Sequence, residues 1–139
     1  MTAMTLTGRH ILVVEDDAFM ASLLRFMLER QGAQVTVQGD GRAALEWLQG
    51  DAQVDTVVLD LRLPQLSGME VLGQMRQLPA RLATPVLVLS ALDTGAEVAA
   101  ALDAGAGDYL TKPFNPEELL ARLEHRMAQA QGPARETRT

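Results

Sequence analysis

At 139 residues with a hydrophobic fraction of 47%, the chain has the length and apolar content of one globular domain with a real core. A formal net charge of −6, with acidic and basic residues interspersed, argues against direct nucleic acid binding by a broad basic face. The absence of cysteine excludes a disulfide framework and a thiolate zinc site.

The first eight residues have no charged leading region and no long apolar run, so they are not a signal peptide. No window reaches the length of a membrane span. The expectation is a cytoplasmic protein with no membrane partner. Residues 1–8 read as a flexible N-terminus, 9–128 as one domain, and 129–139 as a polar tail or truncated linker.

His10–Val14 (HILVV) is a continuous apolar run, the pattern of a strand buried on both faces. It stops at Glu15, Asp16 and Asp17, and Asp17 is placed to cap the next helix. There Phe19, Met20, Leu23, Leu24, Met27 and Leu28 recur at helical spacing up to Gln31, and Gly32 is the stop. Gln34–Gln38 alternates and reads as an outer strand. Gly41–Gln49 is a short helix carrying Ala44, Leu45, Trp47 and Leu48. Residues 54–60 form a third strand. Residues 68–77 form a helix with Met69, Val71, Leu72 and Met75, and Pro79 interrupts the connection to a fourth strand over 85–90. An alanine-rich helix over 94–104 is stopped by Gly105. Asp108–Thr111 is a fifth strand, and Pro116 opens a last helix that runs to about Met127, with Leu119, Leu120, Leu123 and Met127 on one face. Five βα units in strict alternation predict an α/β, doubly wound parallel sheet with helices on both faces and right-handed connections.

In such a sheet, ligands bind outside the carboxyl ends of the strands. Those ends carry Glu15 and Asp16, Asp60, Ser90 and Lys112. Three carboxylates about 5 Å apart would repel by roughly 3 kcal/mol per pair at an effective dielectric near 20. A hard divalent cation resolves this, and all-oxygen ligation suits Mg²⁺. A carboxylate nucleophile at Asp60, with Mg²⁺ and Lys112 as a clamp of positive charge and Ser90 as a hydroxyl donor, meets the needs of phosphoryl transfer. Alone after a strand, Asp60 would read as a turn cap; Asp16 and Lys112 at matching strand ends change that reading. Asp17 reads as a cap rather than a ligand. His10 and His125 lack ligand-spaced partners and read as structural or solvent-facing. Trp47 reads as helix packing and the methionines as core filler.

Four motifs carry a resemblance: ILVVEDD at 11–17, VVLDLRLP at 57–64 with Gly68, VLVLSA at 86–91, and AGAGDYLTKPF at 104–114. Together, in order and at the right strand ends, they resemble the receiver domain of two-component response regulators over nearly all of 9–127. The resemblance implies a flavodoxin-like five-stranded sheet of order 2-1-3-4-5. It implies that Asp16 and Asp60 ligate Mg²⁺ directly, that the backbone carbonyl of Arg62 completes the shell, and that Glu15 acts through water. Asp60 is the phosphoacceptor, Lys112 and Ser90 bind the phosphoryl group, and Ser90 and Tyr109 form the switch. A cis peptide between Lys112 and Pro113 is expected. The implied donor is a sensor histidine kinase or phosphotransfer protein. The implied output is a change in the face made by helix 4, strand 5 and helix 5, used for a homodimer or an output domain. On this reading the chain is a regulatory domain that promotes its own phosphorylation and dephosphorylation, not an enzyme in the usual sense.

The transcription-factor branch of that family typically carries Arg in helix 4 and paired acids before the switch Tyr. Here the positions read Val98 and Gly107-Asp108, with Glu118 and Arg122 retained, so the usual charge network is depleted and the face more apolar. Arg62 and Leu92, two residues beyond Asp60 and Ser90, fall where the family tunes phosphoryl lifetime. Two alternatives stand beside this reading. One is a receiver-like interaction module that takes no phosphate. The other is a flavodoxin-like nucleotide- or flavin-binding enzyme, which the acids at 15–17 disfavour because a phosphate cradle needs Gly-rich backbone.

Overall fold

The structure, a computed structural model, describes residues 5–91 and 94–136, with side chains described up to residue 129. The elements run β1 (His10–Val14), α1 (Ala18–Arg30), β2 (Gln34–Gln38), α2 (Gly41–Gln49), β3 (Thr56–Leu59), α3 (Gly68–Met75), a 3₁₀ turn (Pro79–Arg81), β4 (Val86–Ser90), α4 (Gly95–Asp103), β5 (Asp108–Thr111) and α5 (Pro116–Glu136). The five strands are all parallel, in the order β2-β1-β3-β4-β5, as the sequence predicts.

The apolar runs of β1, β3 and β4 are continuous because both faces of the central sheet are covered. Alternate residues go to opposite sides. Ile11, Val13, Val58, Leu87 and Leu89 pack with Leu24 and Leu28 of α1 and with Leu119 and Leu123 of α5. Leu12, Val14, Val57, Leu59, Val86 and Val88 pack with Ala44 and Leu48 of α2, Val71 and Leu72 of α3, and Ala101 of α4. β2 is an edge strand and only partly buried.

Side chains cap the helices at their starts. Asp17 Oδ1 accepts the Met20 N–H at 3.0 Å, Asp40 Oδ1 the Ala43 N–H at 2.7 Å, and Thr94 Oγ1 the Glu97 N–H at 3.2 Å. Ser67 and Glu70 form a reciprocal capping box, and Asn115 Oδ1 takes the Glu117 and Glu118 amides. Each such cap stabilises its helix by about 1 kcal/mol, and the first of them sets α1 directly behind Glu15 and Asp16.

The structure departs from the sequence reading in four places. Residues 5–8 are not loose: Leu6 is buried in the α1/α5 core, and its N–H donates to Gln31 O at 2.9 Å. One apolar side chain among polar neighbours is enough to dock this turn. On α1, Leu24 and Leu28 face the core, but Phe19 (77% exposed), Leu23 (37%) and Phe26 (57%) form a second, outward stripe. The link at Pro79 is a 3₁₀ turn rather than a plain interruption. Last, α5 continues past Met127 to Glu136, where the sequence reading places a polar tail. Residues 1–4, which the sequence assigns to a flexible N-terminus, and 137–139, which it assigns to a polar tail or truncated linker, lie outside the described residues.

Candidate functional site

Register builds the site. Val14 pairs with Leu59 and Leu59 with Val88, and the Asp60 N–H donates to Val14 O at 3.0 Å. Glu15 and Asp60 therefore leave the sheet at one level. Ser90 pairs with Thr111, and the Lys112 N–H donates to Ser90 O at 2.9 Å, which aims Lys112 at the same rim. The Lys112–Pro113 peptide is cis.

Lys112 Nζ lies 2.7 Å from Glu15 Oε1 and 3.0 Å from Asp60 Oδ2. Glu15 Oε2 accepts the Asp17 N–H at 3.1 Å, and Asp60 Oδ1 accepts the Arg62 N–H at 3.0 Å. Glu15 and Asp60 are buried, and Asp16 is exposed at the mouth. Burial raises the Glu15 carboxyl above its ordinary value; the bonds from Lys112 and Asp17 oppose this, and the nearby Asp60 charge adds to it. Burial alone would lower the Lys112 ammonium. Its hydrogen bonds to Glu15 and Asp60, with their charges, outweigh that and raise it.

One oxygen from each of Glu15, Asp16 and Asp60 falls within 4.8 Å of the others. A set of hard carboxylate oxygens at that spacing fits a hydrated Mg²⁺ rather than a soft metal. Arg62 sits against Asp60 through its amide, and both Glu15 oxygens already accept bonds from Lys112 and Asp17.

The loop after Asp60 is fastened from both sides. The Gly68 N–H donates to Leu61 O at 2.9 Å and the Gly41 N–H to Pro64 O at 3.2 Å. A Cβ on Gly68 would lie 2.2 Å from Asp60 O, so only glycine lets α3 start this close to the site. The sequence places Gly68 in the motif that carries the resemblance; its contact with the Asp60 carbonyl carries no sequence signal.

Ser90 is fully buried at the end of β4. Tyr109, in register with Val88, is half-buried against the α2/α3/α4 core. These two lie on the neighbouring strands β4 and β5. Leu92 lies outside the described residues. His10 is tied into the opposite edge of the sheet and His125 is exposed, so neither approaches the rim. On the α4-β5-α5 face the retained charges pair within the chain. Arg122 Nη1 meets Asp108 Oδ1 at 2.6 Å, Arg122 Nη2 meets Glu118 Oε2 at 2.9 Å, and Arg126 Nε lies 3.7 Å from Asp108 Oδ2. Among the described residues, no helix is long and apolar enough to cross a membrane.

Comparison with known proteins agrees with this geometry. Residues 11–124 match the response regulator receiver domain family. The chain is 49% identical over 114 residues to the response regulator MprA of Mycolicibacterium vanbaalenii, covering 82% of this chain and 48% of that protein. It thus spans about half the length of the curated relatives it matches. Among solved structures, the Francisella response regulator 1452 receiver domain superposes with a TM-score of 0.81 at 34% identity, covering 88% of this chain and 98% of that one. The receiver domain of the sensor histidine kinase PA1611 from Pseudomonas aeruginosa, which holds magnesium in its active site cleft, gives 0.81 at 30% identity, covering 88% and 99%. This chain belongs to the receiver domain family of two-component response regulators.

Proposed function

We propose that Asp60 is the phosphoacceptor of a signalling switch charged by a sensor histidine kinase or phosphotransfer protein. The observation that carries this reading is the bridge from Lys112 to both Glu15 and Asp60, with Asp16 beside them. A carboxylate oxygen of Asp60 attacks phosphorus and forms an O–P bond. The P–N bond to the donor imidazole breaks, and the imidazole leaves with the electron pair. Lys112 is in reach to neutralise a phosphoryl oxygen. Ser90 donates its hydroxyl to another, and Tyr109 follows into the space Ser90 leaves. Asp16, Asp60 and the Arg62 carbonyl would hold Mg²⁺, with Glu15 acting through water. That ion supplies positive charge to the developing phosphoryl oxygens.

The α4-β5-α5 face would carry the result to a second copy or an output domain, as a shift between two packings. Asp108, Glu118 and Arg122 are already paired within the chain, which supports an apolar contact around Val98 over a network of salt bridges between chains. α1 begins beside Glu15 and Asp16, and its exposed Phe19, Leu23 and Phe26 stripe supports that helix as the donor's seat.

Incubation with acetyl phosphate and Mg²⁺ should add one phosphoryl group, about 80 Da by intact mass, and Asp60→Ala should abolish the gain. An adduct that survives Asp60→Ala overturns the assignment. Phe26→Ala should slow transfer from a phosphorylated kinase and leave the acetyl phosphate reaction unchanged; equal slowing of both would remove α1 as the donor's seat.

A further inference from the structure

Both α3 and α4 start at the rim and end away from it. α3 begins at Gly68, packed on the Asp60 carbonyl. α4 begins at Gly95, five residues after Ser90, behind the Thr94 cap. At their far ends one side chain ties the two helices together. Arg76, the C-cap of α3, donates from Nε (3.2 Å) and Nη2 (2.8 Å) to Gly105 O, just past the C-cap of α4. Its Nη1 donates to Arg81 O at 2.8 Å in the 3₁₀ turn. These acceptors are all backbone carbonyls, and burial lowers the guanidinium from its ordinary value.

Gly105 has φ 114°, and a Cβ there would lie 2.8 Å from Arg76 Nε. The guanidinium is therefore packed directly on the turn, which glycine alone permits. The rest of α4 is held lightly. Ala101 is its one buried residue, and Ala96, Ala99, Ala100 and Leu102 are exposed. Among the described residues its fastenings are unequal: a two-pronged, charge-assisted bond at the C-terminal end and a hydroxyl cap at the N-terminal end.

We infer that Arg76 is a positioning residue that makes the Gly105 turn the fixed end of α4, so that events at the phosphoacceptor swing the N-terminal half of α4 against a stationary base. This rests on the reading of Asp60 above. α3 and α4 then act as two arms, both met by the site at one end and pinned to each other at the other.

Hydrogen exchange on the full chain, with and without Mg²⁺ and beryllofluoride as phosphoryl analogue, tests it. In the native chain, amides at 94–99 should respond to the analogue and those at 102–107 should not. In Arg76→Met, amides at 102–107 should exchange about tenfold faster than in the native chain, and the response to the analogue should spread into them. Arg76→Lys should restore part of the restriction. Val35→Ala, a core change remote from the clamp, should leave the boundary between responding and silent amides in place. A native response that covers 94–107 evenly overturns the inference. So does an Arg76→Met profile equal to native, or a loss of the boundary in Val35→Ala. Should the analogue alter no amide while Arg76→Met still frees 102–107, the Asp60 reading fails and the swing with it.

Discussion

The two edges of the sheet solve the same problem in opposite ways. At the N-terminal edge, the His10 ring and the Arg81 guanidinium each have partners of matching kind. The His10 ring donates from Nδ1 to Gln53 O at 2.7 Å, which leaves Nε2 to accept from Thr36 Oγ1 at 2.7 Å when the ring is neutral. Arg81, 4% exposed, donates to Leu48 O at 2.9 Å and Gly50 O at 3.1 Å, the carbonyls at the end of α2, and lies 5.9 Å from the Trp47 ring centroid. At the C-terminal edge, two of three clustered carboxylates share one ammonium and the third, Asp16, stands beside them. An edge already satisfied gains nothing from a ligand. An edge with surplus carboxylate changes in free energy whenever a cation or phosphoryl group arrives, and that makes it the responsive one.

The sharpest way to break this contrast is one cation removed from each edge. Arg81→Ala strands two helix-end carbonyls and opens the space beneath Trp47. Its unfolding free energy in urea should fall by about 2–4 kcal/mol, with the acetyl phosphate reaction of the folded fraction unchanged. Lys112→Met should do the reverse. Phosphorylation should slow by about 10²–10³, while stability falls by about 1 kcal/mol, because buried Glu15 can take up a proton once its partner is gone. Equal effects of both variants on both measurements would mean that the two edges do not differ as described.

The βα alternation and the meeting of the four charged candidate residues at one rim were legible because their signals are local, whereas the strand order came from the family resemblance. Runs such as HILVV and VLVLS need burial on both faces, and an acid or lysine at the end of such a run is costly without a partner. What escaped depends on which partner a residue meets across the fold. Helical spacing placed Phe19 and Leu23 together with Leu24 and Leu28, but it does not say which of two overlapping stripes faces inward. Arg76 and Arg81 bond to carbonyls 29 and 33 residues away in the chain, and guanidinium-to-carbonyl pairing leaves no sequence pattern. The repulsion within the acid cluster is also smaller than strand-end spacing alone implies. Glu15, Asp16 and Asp60 are not bare charges, because Lys112 already compensates two of them.

That compensation sets a smaller effect for Asp16→Asn. In chelator, loss of one exposed carboxylate beside a neutralised pair should raise stability by only about 0.5 kcal/mol. The increase in melting temperature that Mg²⁺ confers on the native chain should disappear. Retention of the full Mg²⁺-dependent increase would remove Asp16 from the ligand set.

The smallest expected effect is the pH response of the shared ammonium. Lys112 is the chain's one lysine, so its titration can be followed without overlap from other side-chain amines. Its folded pKa is raised above the ordinary 10.5, so its contribution to stability is fully present below 10.5 and is lost as pH rises through the higher folded value. Glu15 runs the other way. Its folded pKa is raised above 4.5, so the folded state binds that proton more tightly and Glu15 opposes folding once pH climbs past its raised value. Neutral pH therefore keeps the stabilisation from Lys112 and retains the cost of buried Glu15. Amine-selective labelling against pH, with the modified peptide separated from the α-amine, should give a Lys112 midpoint above 10.5 in the native chain. Glu15→Gln should bring it down by removing the nearer of its two acids. An unchanged midpoint in that variant would assign the hold on Lys112 to Asp60 alone.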